Sequence, residues 1–282
     1  MKPAPFAYAR PPDLREALTL LQRPGAKILA GGQSLVPLLN LRLARPELLV
    51  DINALPGLSA IEVSTDGGLR LGALVRHTRL LADPRVAQHM PLLREAVTQV
   101  GHHAIRNRGT LGGSLVHADP VAELAAAMVA LGARFRLVSL DSERWVRARD
   151  FFQGPFTTQI TEQEMLTEVI VPARPEGEGA AFLEVAMRRG DFAIVAVAAL
   201  AQRSREGLRG PVVVWSGAAS TPVIASELAE LEGLRLSGED LEEACAGIAA
   251  GVTPPADVRT SPDYKRAALA VLTARALRAA AA

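Results

Sequence analysis

Two glycine-rich segments contain the residue types that bind anionic oxygens. The first glycine segment, residues 30–35 (AGGQSL), follows the apolar run 26–30, which predicts a short buried strand. It precedes a helix expected to begin near Ser34, with Pro37 in its first turn. Residues without a Cβ let the backbone approach an anion, and the amides that open a helix point toward it. The segment therefore predicts a phosphate site, although a glycine pair after a strand is also typical of a plain turn.

The second glycine segment, residues 105–114 (IRNRGTLGGS), is richer in hydrogen-bond donors. It combines glycines with hydroxyl, amide and guanidinium groups. We read residues 101–119 as a loop and residues 120–131 as the next helix, with Pro120 in its first turn. Asp119 fits a helix N-cap as well as a ligand contact. Two such segments in one α/β region favour a ligand with two phosphates, and a dinucleotide is the simplest ligand of that kind.

Other chemistries have weaker support in the sequence. The histidines at 102–103 and 117 lack a metal-site spacing backed by carboxylates, so no metal site is predicted. Cys245 is the only cysteine, which excludes an internal disulfide, an iron–sulfur cluster held by this chain alone and a thiolate zinc site. No G-x-S-x-G elbow occurs, and hydrolase chemistry is therefore disfavoured.

The composition is that of an ordinary globular protein. The 282 residues include 31 basic and 30 acidic side chains, a balance that argues against a basic nucleic-acid-binding face. No run of about 18 apolar residues occurs, and the N-terminal stretch does not resemble a leader peptide. We therefore expect a cytoplasmic protein that does not span a membrane.

Patterns along the chain predict the elements that position the two segments. Residues 1–55 suggest a small α/β lobe with a helix after Asp13 and strands at 26–30 and 48–52. Beyond it we predict a hairpin around 66–68, helices from about Arg79 to Val100, the helix at 120–131, and three strands within 134–172. A polar stretch at 173–181 marks a boundary, followed by strands within 181–220 and helices near 223–232, 238–250 and 262–280.

Three strings, at residues 30–53, 105–124 and 187–198, resemble the FAD-binding subunit of the molybdenum hydroxylase family, of the xanthine dehydrogenase and carbon monoxide dehydrogenase type. The resemblance extends over essentially the whole chain. It implies an α+β fold with a two-lobed, vanillyl-alcohol-oxidase-like FAD-binding domain over 1–175, its lobes at about 1–55 and 56–175. A smaller α+β C-terminal domain, an antiparallel sheet plus helices, would follow over 178–282.

The resemblance also implies which residues bind FAD, held non-covalently between the lobes. Backbone amides over 28–35 would wrap the diphosphate, with Ser34 capping the helix, and Thr110 with the amides of 112–114 would complete the cradle. Glu123 would hydrogen-bond the sugar hydroxyls, and Leu166 would make a main-chain contact to the nucleotide. The full expected set is Ile28, Leu29, Ala30, Gly31, Gly32, Gln33, Ser34, Leu35, Val100, Gly101, Thr110, Gly112, Gly113, Ser114, Asp119, Glu123, Leu166 and Leu183.

Two positions depart from the family pattern. Position 114, often Asn or Asp in relatives, is Ser, and position 183, sometimes Lys, is Leu. The resemblance by itself therefore implies no polar contact at either position. Val100 and Leu183 are accordingly expected only to line the site.

The resemblance further implies a division of labour among subunits. In relatives a large subunit holds the molybdenum cofactor and a small subunit holds two [2Fe–2S] clusters, and we expect neither group on this chain. FAD would take electrons from a cluster and pass them to NAD, oxygen, a quinone or another carrier, within a dimer of heterotrimers. No catalytic acid or base is therefore expected here. The alternatives are a self-contained FAD-dependent oxidase of the vanillyl-alcohol-oxidase type and a scaffold subunit without FAD.

Overall fold

A computed structural model describes residues 2–205, 207–225, 231–236 and 239–282. Within these residues the strands form a three-stranded, a five-stranded and a four-stranded sheet together with a two-stranded ribbon. We call the three sheets, in chain order, the parallel sheet, the central sheet and the C-terminal sheet.

The parallel sheet contains three short strands with helices between them. Its elements are β1 (Ala7–Ala9), α1 (Leu14–Leu20), β2 (Ala26–Leu29), α2 (Leu35–Asn40) and β3 (Leu48–Asp51). The strand order is β1-β3-β2, with both pairs parallel. The Asp13 carboxylate caps α1 by accepting a 2.8 Å hydrogen bond from the Glu16 amide. The helix after Asp13 and the two strands predicted in this region are confirmed.

The central sheet is antiparallel and is completed by a strand from far along the chain. Its strands are β4 (Ile61–Val63), β5 (Leu69–Gly72), β6 (Arg134–Val138), β7 (Glu143–Arg147) and β10 (Met165–Val171). The hairpin predicted around 66–68 is confirmed by the antiparallel pairing of β4 with β5. Strand β10 lies in the middle of the sheet, between β5 and β6.

Helices and a short ribbon lie between β5 and β10 in the chain. They are α3 (His77–Ala82), α4 (Pro84–His89), α5 (Pro91–Gln99), α6 (His103–Arg108), α7 (Leu111–His117), α8 (Glu123–Ala130), α9 (Ala148–Phe151), β8 (Phe152–Gly154) and β9 (Thr157–Thr158). Every residue of α8 is buried. A helix that is apolar around its whole circumference requires cover on all sides, and α8 contacts α5, α7 and the C-terminal sheet.

The structure corrects three expectations in this stretch. Residues 101–119 are not a loop, because α6 and α7 occupy most of them. The next helix starts at Glu123 rather than at Pro120, and Pro120 lies in a turn. Asp119 is not a helix N-cap: its carboxylate accepts a 3.0 Å hydrogen bond from the Val121 amide and closes that turn.

The C-terminal sheet is antiparallel and is covered by two helices. The elements are β11 (Glu178–Ala186), β12 (Ala193–Arg203), β13 (Leu208–Ser216), β14 (Val223–Ile224), α10 (Glu239–Ala250) and α11 (Pro262–Ala280). The apolar run 193–201 in β12 is buried throughout, because α11 packs on this strand while α5 and α8 contact it as well. The helix predicted over 223–232 is wrong at its start, where β14 pairs with β13. Residues 226–230 of that prediction lie outside the described residues.

Three apolar clusters hold the sheets and helices together, and the C-terminal sheet contributes residues to two of them. The parallel sheet packs with α1, the central sheet with α3, α5, α7 and α8, and the C-terminal sheet with α10 and α11. In the last cluster the buried Trp215 indole donates a 3.0 Å hydrogen bond to the Thr273 hydroxyl, which satisfies a polar atom inside the core. None of the described helices is both long enough and apolar enough to cross a membrane.

Candidate functional site

The first glycine segment leaves strand β2 with its backbone amides open. Gly32 has a φ of +74°, a left-handed conformation that glycine adopts without a steric penalty. Within the described part of the chain, the amides of residues 31–35 donate to no backbone or side-chain acceptor. The segment therefore presents a row of unused N–H groups, which is the arrangement that binds an anionic oxygen.

Ser34 does not cap α2, contrary to expectation. Its backbone is already helical, with φ −96° and ψ −44°, and its side chain makes no capping hydrogen bond. An N-cap needs an extended backbone to turn its side-chain oxygen onto the amides of the first turn. The first turn of α2 also offers no free amide for such a bond, because the Val36 amide donates to the Gly32 carbonyl oxygen at 3.0 Å and Pro37 has no N–H.

The structure brings the two glycine segments together. A Cβ placed on Gly31 would stand 2.9 Å from the Gly109 Cα and closer still to the carbonyl oxygen of Arg108. A Cβ placed on Gly113 would stand 3.8 Å from that of Ala30. Only a residue without a side chain fits at position 31, so the close approach of the segments depends on Gly31.

The second glycine segment uses its amides within the chain. The amides of Leu111 and Gly112 donate to the carbonyl oxygens of Val75 and Ala73, at 2.9 and 2.8 Å. The amides of 112–114 thus have acceptors within the chain, and their part in the diphosphate cradle stays a prediction.

Thr110 provides the acceptor for one of these amides. Its hydroxyl accepts a 3.1 Å hydrogen bond from Gly113, and its carbonyl oxygen accepts one of 3.0 Å from Ser114. Thr110 is thus the N-cap of α7, and it is only 2% exposed. Gly112 serves close packing, since a Cβ there would stand 2.7 Å from the Cβ of Ala73.

An open pocket of about 370 Å³ lies against the first glycine segment. It is lined by Leu29, Ala30, Gly31, Gly32, Gln33, Val36, Pro37, Asp51, Asn53 and Arg108. The five lining residues from 29 to 33 belong to the expected site. Asp51, Asn53 and Arg108 were not expected there. Asp51 and Asn53 follow strand β3, and the carboxyl ends of neighbouring parallel strands are where ligands bind. Applied to the predicted strand at 48–52, that rule would have identified Asp51 and Asn53 as candidate site residues from the sequence alone.

A side-chain network holds the pocket wall in place. Asn53 Nδ2 donates to the Ala30 carbonyl oxygen at 2.8 Å and to Asp51 Oδ1 at 2.6 Å. From the other side, the Arg76 guanidinium donates to Asn53 Oδ1 at 2.6 Å and to the Arg108 carbonyl oxygen. The network therefore joins the end of the parallel sheet to the end of α6.

Two charged groups in this network have shifted pKa values. Burial acts to raise the pKa of Asp51, but hydrogen bonds from Tyr8 and Asn53 outweigh it, and the pKa lies below its usual value. Burial and the nearby Arg108 charge lower the pKa of Arg76. Arg76 still remains charged at neutral pH, as guanidinium groups do in proteins.

Other residues of the expected set lie elsewhere. Val100 is in the core cluster of the central sheet, and Leu183 packs against that of the C-terminal sheet. Leu166 is 3% exposed in β10, and Gly101 adopts a φ of +46° after α5. Glu123 opens α8 with 9% exposure. None of these residues lines the pocket.

The Glu123 carboxyl has a strongly shifted pKa. Burial is the main cause, and the negative charges of Glu184 and Asp119 add to it, raising the pKa to about 7. Burial also raises the pKa of Glu184 to about 7. Acidic groups near α8 thus hold protons close to neutral pH.

The remaining histidine and cysteine residues do not form a site among the described residues. No group of three or more His, Cys, Asp or Glu side chains is arranged to hold a metal ion in that part of the chain. His103 hydrogen-bonds Asn107 at 3.2 Å, and the His117 ring contacts that of Phe156. Cys245 is fully buried, and burial raises the pKa of its thiol to about 11.

Two family models together match nearly the whole chain. The model described as "FAD binding domain in molybdopterin dehydrogenase" matches residues 4–174, and "CO dehydrogenase flavoprotein C-terminal domain" matches residues 180–280. The chain is 40% identical over 282 residues to the 6-hydroxypseudooxynicotine dehydrogenase complex subunit alpha of Paenarthrobacter nicotinovorans, covering 98% of this chain and 95% of the relative. It is 33% identical to the glyceraldehyde dehydrogenase medium chain of Sulfolobus acidocaldarius, covering 99% of each.

Solved structures show the same architecture. The chain superposes with a TM-score of 0.94 on a carbon monoxide dehydrogenase chain from Hydrogenophaga pseudoflava, at 34% identity over 99% of this chain and 98% of that one. A quinoline 2-oxidoreductase chain from Pseudomonas putida 86 gives the same TM-score at 36% identity, with 99% and 98% coverage. These matches confirm both the resemblance and the fold class expected from the sequence.

Proposed function

We propose that this chain holds FAD non-covalently and relays electrons for a multi-subunit oxidoreductase. The chain belongs to the FAD-binding medium subunits of the molybdenum hydroxylase family, of the carbon monoxide and xanthine dehydrogenase type. The observation that carries the proposal is the pocket against the first glycine segment, whose lining includes Gly31, Gly32 and Gln33 with their open amides.

The residues around this pocket fit an anionic, diphosphate-bearing group. Open amides need an acceptor, and phosphate oxygens accept several hydrogen bonds at once. Gly31 and Gly32 allow the backbone to approach such a group closely. Bound FAD supplies the conversion between single electrons and electron pairs.

In this proposal the chain's own residues bind and orient the cofactor. The backbone of residues 28–35 wraps the diphosphate, and the Ser114 hydroxyl, which has no partner in the described chain, adds a side-chain donor. Gly113 keeps the second segment close to Thr110, because an added Cβ would stand 2.7 Å from the Thr110 hydroxyl oxygen. The remaining assignments to Val100, Gly101, Thr110, Asp119, Glu123, Leu166 and Leu183 stay predictions.

The comparisons also support an assembly and a division of the chain. Related chains are named as medium chains or as subunits of dehydrogenase complexes. We therefore place a small subunit with [2Fe–2S] clusters and a large subunit with the molybdenum cofactor beside this chain, in a dimer of heterotrimers. The FAD-binding domain would extend over 1–175, and the C-terminal domain over 178–282. NAD, oxygen, a quinone or another carrier would accept the electrons.

Flavin binding by a pair of matched glycine variants tests the proposal. Gly32 and Gly57 both have left-handed backbones, with φ of +74° and +79°, and Gly57 has open space around it. Absorbance spectra and FAD titrations of the full chain should show wild-type binding in Gly57→Ala and strongly reduced binding in Gly32→Ala. Equal FAD content in both variants would contradict the cradle.

Two further outcomes of the same titration distinguish the alternative functions. A wild-type chain that cannot take up added FAD would contradict cofactor binding and favour a scaffold. Oxidation of an organic donor by the chain without partners would instead favour a self-contained oxidase.

A further inference from the structure

Arg108 occupies an exposed position at the junction of the two glycine segments. It is the last residue of α6, and it is one of the residues that line the pocket, together with Gly31 and Gly32. Within the described ranges its guanidinium makes neither a hydrogen bond nor an ion pair, although its carbonyl oxygen accepts from Arg76. A residue with an unpartnered guanidinium therefore lines the same pocket as Gly31, Gly32 and Gln33, whose amides are open.

The charges around the pocket make this guanidinium significant. Asp51 and Arg108 are the charged residues that line it. A diphosphate brings further negative charge next to the Asp51 carboxylate, whereas the amides of the first segment are neutral. Placing several negative charges together in a partly desolvated pocket is costly unless a cation accompanies them. A guanidinium matches phosphate oxygens in both charge and geometry.

The backbone of Arg108 is held from two sides. The Arg76 guanidinium bonds the Arg108 carbonyl oxygen, and it bonds Asn53 Oδ1 at 2.6 Å. Asn53 is in turn fixed to the Ala30 carbonyl oxygen at 2.8 Å. Gly31 also packs directly against the Arg108 carbonyl oxygen. The Arg108 side chain therefore starts from a fixed point at the edge of the pocket.

From this geometry we infer that Arg108 is the cationic binding residue for the cofactor diphosphate and that Arg76, acting through the Arg108 backbone, is its positioning residue. The inference rests on the proposed binding of FAD by this chain. It assigns the charge neutralisation to the second glycine segment and the amide donors to the first.

Replacing Arg108 with glutamine tests the binding role. FAD and ADP, which share the diphosphate, are titrated into the full chain over a range of salt concentrations. Arg108→Gln should weaken both ligands by at least about 10-fold, flatten the dependence of Kd on salt, and leave Tm unchanged. Arg108→Lys should recover part of the affinity. Arg23→Gln removes an exposed charge that does not line the pocket, and its binding should match wild type.

A double variant tests the positioning role. Arg76→Lys should weaken FAD binding, and Arg76→Lys combined with Arg108→Gln should bind no worse than Arg108→Gln alone, because Arg76 acts through Arg108. Additive losses would overturn the positioning role.

The possible failures of this experiment are distinguishable. Wild-type binding together with an Arg108→Gln variant of equal Kd and equal salt dependence would overturn the role of Arg108 and leave the proposed function intact. A wild-type chain that binds neither FAD nor ADP would overturn the proposed function itself.

Discussion

The two glycine pairs look alike in the sequence and have opposite roles in the structure. At Gly31 and Gly32 the backbone amides are open and border a pocket. At Gly112 and Gly113 the amides have acceptors within the chain, and Gly112 packs against Ala73. A glycine pair can therefore expose the backbone to a ligand or press it against another part of the protein.

The neighbouring elements explain the difference. The first pair leaves the end of a parallel strand, where no further strand offers acceptors to its amides. The second pair opens α7 directly beside the backbone that follows β5, where the Ala73 carbonyl oxygen accepts from the Gly112 amide and the Thr110 hydroxyl accepts from the Gly113 amide. Four substitutions test this contrast, in order of decreasing expected effect.

Gly112→Val should have the largest effect, on stability. The new side chain would overlap Ala73, whose Cβ lies 2.7 Å from the position that the added Cβ would take, and we expect a loss above about 3 kcal/mol. Gly247→Val in α10 is the matched control, because that helical glycine has open space around it. Urea unfolding of both variants is the measurement. A similar small loss in each would show that the second pair is not a packing element.

Gly31→Ala should chiefly affect FAD binding. A Cβ at this position pushes against Arg108 and Gly109 and separates the two segments, and we expect FAD affinity to fall on the order of 100-fold. Gly154→Ala provides the control, since its added Cβ would stand 4.0 Å from the nearest side chain. FAD affinity is measured by fluorescence titration. An unchanged affinity in the Gly31→Ala variant would show that the first segment does not bind the diphosphate.

Acid should destabilise the second segment through His77. This ring lies under Gly109, and burial, together with the charges of Arg106 and Arg76, lowers its pKa from 6.5 to about 4. The unfolded state therefore binds the proton first, so the stability contributed at neutral pH is lost as the pH falls from about 6.5 to 4. We expect a loss of about 2 to 3 kcal/mol at pH 4.5.

Unfolding of wild type and His77→Gln at pH 7.5 and 4.5 measures this effect. Glutamine keeps a polar group but cannot be protonated in this range, so the variant should lose less stability on acidification. Parallel pH curves would contradict the role of His77.

Thr110→Val should have the smallest effect. It removes the hydroxyl that accepts from the Gly113 amide, and loss of this cap should cost about 1 kcal/mol. FAD affinity should change by less than about 3-fold, because the hydroxyl serves the helix. Ser114→Ala is the companion variant, and it should weaken FAD without changing Tm. An affinity loss at Thr110 as large as that at Gly31 would make the two segments equivalent.

Much of the fold was predictable because its signals are local. The capped start of α1, the β4–β5 hairpin and the long α11 all follow from spacing and turn residues. Helices α6 and α7 escaped prediction because they are short, because α6 buries no residue, and because glycines oppose helix formation in α7.

The site was predictable only in part. The open amides of the first segment follow from its local pattern, but the use of the second segment's amides depends on Ala73 and Val75, which lie far from it in the sequence. The bond from Arg76 to Asn53 likewise joins residues 23 positions apart. Contacts of this kind have no local signature.

The position of β10 also has a consequence for synthesis of the chain on the ribosome. The strands of the parallel sheet are complete once Asp51 has been made, so this sheet can close early. The central sheet must remain two separate hairpins, β4–β5 and β6–β7, until Val171 emerges and β10 inserts between them. Because pairing of distant strands is slow, we expect the second glycine segment to reach its final structure after the first. The nascent chain would then expose its phosphate-binding amides well before it can retain a cofactor.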